Sequence, residues 1–287
     1  MLVFSALVAG SFALGTRMAN DISPSAFNAV RFILAAGVLI ALAASTTGVP
    51  PKAWRAPWRY GVLGATFAVY FVLMFEGLKT APPVSAAAVF TLIPVMSAAF
   101  GWWLLRQRTT GRMALALAIG AVGALWVIFR GQVSALLAFD VGRGELIYFV
   151  GCVFHAIYTP LVRKLNRGEP ALVFAGGTLC AGAVVLLLWG ARDLLATDWA
   201  SLPMLVWVTL AYIVIFATAA SFSLLQFATL HLPSAKVMAY SYLTPTWVIG
   251  WEIALGGAVP GLIVLFGVAL SALALLMLLR NDELREP

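Results

Sequence analysis

A chain of 287 residues that is 63% hydrophobic, 10% charged and of mean hydropathy +1.00 cannot be a soluble domain. Its apolar stretches are too long and too many for a core that must also present a polar surface. Its net charge of +7 does not point to nucleic acid, because the basic residues fall in short loops between apolar spans and read as membrane orientation.

A spanning helix takes roughly 20 apolar residues, so there is room for about ten spans and none for a separate soluble domain. In chain order the first five are expected near Leu2–Gly15, Phe27–Ala44, Tyr60–Leu78, Val84–Leu105 and Met113–Phe129. The second five are expected near Leu146–Val162, Ala171–Gly190, Leu202–Phe227, Ala235–Leu255 and Gly261–Leu279. The first lacks the basic leader of a signal peptide and is read as a retained helix. Turn signals separate the spans: Ser23-Pro24, Pro50-Pro51, Pro82-Pro83, Gly168-Glu169-Pro170 and Pro260-Gly261. Cys152 and Cys180 lie inside expected spans, where they pack rather than form a disulfide framework. Trp54, Trp58, Trp102, Trp103 and Trp199 fall at span ends, the place of an aromatic belt.

Charge sets the expected orientation. With the N-terminus inside, Lys52, Arg55, Arg59, Arg106, Arg108, Arg112, Arg163, Lys164, Arg167, Arg280 and Arg285 fall on the cytoplasmic side. Arg17, Lys79, Arg130, Arg143 and Arg192 fall opposite. Positive-inside asymmetry then places both termini in the cytoplasm.

The two halves echo each other. Pro82 and Pro94 recur as Pro233 and Pro245 at an offset of 151. Arg17, Asn20, Pro24 and Pro57 recur as Arg163, Asn166, Pro170 and Pro203 at an offset of 146. The change of offset implies a net five-residue insertion around the eighth span. An odd number of helices per half makes such halves inverted in topology, the arrangement of many secondary transporters. Small-residue pairs, Gly61/Gly64 and Gly120/Gly123, mark close helix packing.

Pro94 and Pro245 each lie ten residues into their span, about 15 Å deep and near the midplane. Each denies a backbone donor to the carbonyl four residues back, Phe90 and Ser241. Phe90, Thr91 and Ser97 share a face with Pro94, as Ser241 and Tyr242 do with Pro245. These residues either line a cavity suited to a ligand with one polar and one apolar end, or pack and hydrogen-bond between helices. His155, with Tyr158 on the same face, is also expected near the midplane. An intramembrane His faces a cavity or a single helix–helix partner. Arg31, Glu76 and Glu252 project to the outer third of the membrane, where they either pair as an outer gate or snorkel to the interface, with Lys79 as an alternative mate for Glu76. Neither histidine belongs to a metal-ligand spacing, and no phosphate-binding Gly-Lys-Ser/Thr loop occurs, so neither metal, cofactor nor catalytic residue is expected.

The opening Gly10-Ser11-Phe12, then Ser23-Pro24 and Arg31-Phe32, resembles the first two helices of the EamA-type family of the drug/metabolite transporter superfamily. Ala86-Ala87-Ala88 through Leu92-Ile93-Pro94, and Tyr242-Leu243-Thr244-Pro245, resemble its paired alanine-rich and proline-containing segments. The sequence departs from the pattern at Gln107 and Ala258, where many relatives carry Glu, and at Ala9 and His155, where relatives often carry Trp. The resemblance implies an all-α integral membrane protein of ten transmembrane helices, in two inverted five-helix repeats at 1–130 and 144–280, around a central cavity. It further implies alternating access without ATP and export of amino acids, aromatic and other neutral ones included, across the bacterial inner membrane. The expected partners are small-molecule amino acids and the lipid bilayer, not nucleic acid; nothing sets an oligomeric state. Other small metabolites, drug-like cations, a membrane-embedded enzyme or a scaffold are the alternatives.

Overall fold

The computed structural model describes residues 1–137, 141–258 and 260–279, and among these there is no strand. Arg280 and Arg285, counted toward the charge asymmetry, lie outside the described residues. The main helices are α1 (Leu2–Met18), α2 (Pro24–Thr46), α3 (Trp58–Leu78), α4 (Pro83–Phe90 and Ile93–Leu105) and α5 (Gly111–Ile128). There follow α6 (Arg143–Leu165), α7 (Ala171–Trp189), α8 (Met204–His231), α9 (Ser234–Ala239 and Thr244–Ala254) and α10 (Leu262–Leu279).

Eight of these are long and apolar enough to cross a membrane. The exceptions are α1, at 17 residues, and α9, whose two pieces are joined by a 3-10 turn at Tyr240–Leu243. Prolines set the starts. Pro24 and Pro83 occupy the first turn of α2 and α4, and Pro170, Pro203 and Pro233 immediately precede α7, α8 and α9. A ring that fixes φ and offers no N–H is well tolerated there, whereas deeper in a helix it removes a backbone hydrogen bond; α6 nonetheless runs through Pro160, near its C-terminal end, as one helix. Deeper, both expected breaks occur: α4 is interrupted at Thr91 and Leu92 just before Pro94, and α9 at the turn before Pro245. At its far end α2 closes on Gly48, whose φ of 70° lets its N–H reach the Ala43 carbonyl at 2.8 Å.

The eighth helix is 28 residues long against 21 for α3, in the region where the repeat offset grows. A π-helical turn at Ile215–Ala220 takes up part of that length. Such turns inside α-helices are frequent at functional sites.

Packing is set by small residues. A side chain on Gly64 of α3 would strike the backbone of Gly182 on α7. Gly123 of α5 and Gly267 of α10 stand in the same relation, as do Gly77 of α3 and Gly144 of α6. Backbones approach this closely where no Cβ intervenes, the usual basis of helix association in lipid. Gly120 instead receives the ring of Tyr242, and Gly61 faces open space, so Gly61 is not a packing site as expected. The proline-broken helices cross each other, with the first piece of α4 against the second piece of α9 and the second piece of α4 against the first of α9. Around this crossing α1 packs on α9 and α6 on α4, while α2 packs on α7 and α5 on α10. Trp54, Trp58, Trp102 and Trp103 are exposed near helix ends. Cys152 and Cys180 are free thiols, the first buried in the core.

Candidate functional site

An aromatic stripe runs down α3: Phe67, Tyr70, Phe71 and Met74 recur at three- and four-residue spacing and so share one face. That face forms a wall of a cavity at the centre of the molecule. Phe4, Val8 and Ser11 of α1 and Phe90 of α4 close further sides. His155 of α6 and Ala217, Thr218, Ser221, Phe222 and Leu225 of α8 complete it. In this conformation the interior holds about 20 Å³, close to the room one water needs.

Phe67 organises the wall. It stacks on Tyr158 and on Phe222, each with ring centroids 4.6 Å apart, and meets Phe71 edge-on at the same distance. His155 is 3% exposed and sits among Tyr70, Phe67 and Phe90, with centroids 4.4, 5.6 and 5.7 Å away. Neither of its ring nitrogens has a hydrogen-bond partner among the described residues. A buried polar group normally has one, and where it has none the exception calls for an explanation. The site therefore combines aromatic rings with an unsatisfied imidazole and the hydroxyls of Ser11, Thr218 and Ser221.

Of the nine residues expected to bind substrate, only Phe90 and His155 line this cavity. Tyr158 lies one layer behind, its hydroxyl accepting from Gln226 Nε2 at 2.7 Å. Thr91 donates to the Ala88 carbonyl at 2.6 Å, within its own broken helix. Ser97 donates to the Ala156 carbonyl at 3.2 Å and so ties α4 to α6. Pro94 and Pro245 shape the breaks but are not among the cavity walls. Tyr242 points the other way, its ring against Gly120 of α5, and Ser241 and Pro245 also stay outside the cavity. The reason is rotational: a four-residue 3-10 turn changes the facing of α9 relative to an unbroken helix.

The expected outer gate is also rearranged. Arg31 pairs with neither glutamate; it is fully buried beside the cavity. Glu252 on α9 is taken by Arg17 on α1 through two contacts of 2.6 and 3.1 Å, and Glu76 by Lys79 at 2.7 Å. Helix order places both pairs at one end of the bundle. At the opposite end Arg59 meets Glu169 at 2.6 Å with both side chains buried, and Arg59 also donates to the Leu165 carbonyl at 2.6 Å. Burial alone would raise the Glu169 carboxyl, but hydrogen bonds from Arg59 and from the Arg167 N–H outweigh it and hold it below the usual range. Gln107 accepts from the Ser234 N–H at 3.2 Å and so caps the start of α9 from the end of α4.

The α3 stripe was readable as a helical repeat of aromatics. Arg17, Arg59 and Glu169 carry no local signal, because their partners lie 106 or more residues away. The π turn that brings Thr218 to the cavity has none either.

The model of the EamA-like transporter family matches the chain twice, over residues 1–129 and again over 142–280. The chain belongs to the EamA-like transporter family. It is therefore a multi-pass membrane transporter and not an enzyme. It is 26% identical over 276 residues to the uncharacterized transporter YyaM of Bacillus subtilis (strain 168), covering 93% of this chain and 90% of that one. It is 27% identical over 190 residues, 65% of each chain, to the aromatic amino acid exporter YddG of Ancylobacter novellus. One solved crystal structure superposes on it with a TM-score of 0.75 at 21% identity, covering 97% of this chain and 96% of the other, which establishes a shared fold.

Proposed function

We propose that this transporter exports amino acids of broad side-chain type, aromatic and other neutral ones included, across the bacterial inner membrane. The make-up of the central cavity carries the reading: aromatic walls for a side chain, with an unpartnered His155 and three hydroxyls for the polar end. The likeness to an aromatic amino acid exporter agrees with it. A drug-like cation would call for a carboxylate on the wall, and the lining residues include none.

In this reading α1 and α9 join the eight long helices as spans, which gives ten in two inverted five-helix repeats with both termini in the cytoplasm. The double family match supports it, as do the packing partners, which exchange when each helix is replaced by the one five further on. Alternating access then opens one end at a time, separating Arg17 from Glu252 or Arg59 from Glu169. The test is efflux of a radiolabelled amino-acid panel from liposomes holding the purified protein, with and without a proton gradient. Efflux of phenylalanine, tryptophan and several neutral amino acids is expected. Efflux of organic cations alone would overturn the reading.

A further inference from the structure

We propose that Arg31 is the residue that receives the carboxylate of the substrate, an assignment that rests on the amino-acid reading above. Arg31 is the seventh residue after the start of α2, about 10 Å along the helix, and its side chain is fully buried. A guanidinium stays protonated in a protein and carries five N–H donors. Here Nε donates to Thr218 Oγ1 at 2.7 Å, Nη1 to Asn28 Oδ1 at 3.2 Å and Nη2 to the Ala217 carbonyl at 3.4 Å. Three donors are engaged, two remain, and every acceptor is neutral. The ring of Phe71 lies 3.6 Å from its central carbon. No carboxylate pairs with it among the described residues. A full charge buried in a membrane protein is costly and is normally paired, so an unpaired one marks a place where an anion arrives.

Its position says where that anion comes from. Phe71, Ala217 and Thr218, three of the groups that hold Arg31, are all walls of the central cavity. One layer of side chains separates the guanidinium from it. Thr218 accepts from Arg31 through its oxygen, which leaves its own O–H to donate into the cavity. His155, unpartnered in the same cavity, is independent evidence that a polar ligand binds there. A carboxylate in the cavity accepts first from the Thr218 O–H, and it reaches the two spare N–H groups once the Phe71 and Thr218 side chains between them move aside, while the aromatic walls hold the side chain. Planar, charge-assisted recognition of this kind is what arginine provides and lysine does not.

The experiment compares four probes on the detergent-purified full chain by binding: phenylalanine, phenylalaninamide, phenethylamine and phenylacetate. The wild type should bind phenylalanine about 10- to 100-fold more tightly than its amide, the factor carried by a hydrogen bond to a charged group. Arg31→Gln should abolish that preference, Arg31→Lys should restore part of it, and Thr218→Val, which keeps the charge, should weaken it. Equal binding of acid and amide by the wild type, or a preference that survives in Arg31→Gln, would overturn the assignment while leaving amino-acid export intact. If Arg31→Gln does not fold, the wild-type comparison and Thr218→Val decide. Arg31-dependent binding of phenylacetate, without transport of any amino acid, would support the carboxylate role and overturn the export reading.

Discussion

Arg59 and Glu169 show what one buried ion pair does at the rim of a membrane protein. Removing one partner of such a pair strands the other charge, at a cost of roughly 3–5 kcal/mol. Glu169→Gln should therefore lower stability by about 3 kcal/mol at neutral pH, the low end because three backbone carbonyls still hold Arg59. The pH dependence has a definite sign. The carboxyl is held below its ordinary range in the folded state, so its stabilisation is complete above the unfolded value near ~4.3 and is lost as pH falls through the folded value. Melting curves of wild type and variant in detergent should differ most at neutral pH and converge in acid. A gap that stays constant down to pH ~2 would show that the carboxylate charge contributes nothing. Arg31 differs in kind: it too is buried, but its acceptors are all neutral.

Three of the main helices are interrupted: α4, α8 and α9. In α4 and α9 the interruption follows from proline chemistry. Pro94 cannot supply an N–H to Phe90, nor Pro245 to Ser241. Replacing either proline with alanine allows a continuous helix, which would re-aim the residues that precede it, among them Phe90 on the cavity wall. Pro94→Ala and Pro245→Ala should each fold and insert, yet transport several-fold more slowly. Initial efflux rates normalised to reconstituted protein measure this, and unchanged rates in both would reduce the breaks to packing features. Both breaks were readable in advance because proline is a local signal. The π turn in α8 was not, since it depends on how α8 meets α2 and α1 rather than on any one residue type.

At the scale of the whole molecule, the strongest packing partners map onto one another between halves, with α4 and α9 crossing at the centre. Under the proposed alternating access, the two rims of that arrangement would trade places as the open end. Its orientation in the membrane is open to direct test. Reporter domains fused at the C-terminus and between Arg130 and Arg143 should lie on opposite sides, the first cytoplasmic, according to the loop charge asymmetry. Reporters on the same side would remove the inverted topology.

Composition, proline spacing and loop charge determine, from the sequence alone, that this chain is a helical membrane protein, where its helices begin and where two of them break. These are one-dimensional signals, carried by hydrophobic length and by a residue that lacks a backbone donor. The tertiary structure alone decides which faces meet. It directs Tyr242 toward Gly120, gives Glu252 to Arg17, and sets Arg31 behind Phe71 and Thr218. Small rotations at the breaks and the close approach of glycine backbones select those contacts, and both depend on residues far apart in the chain.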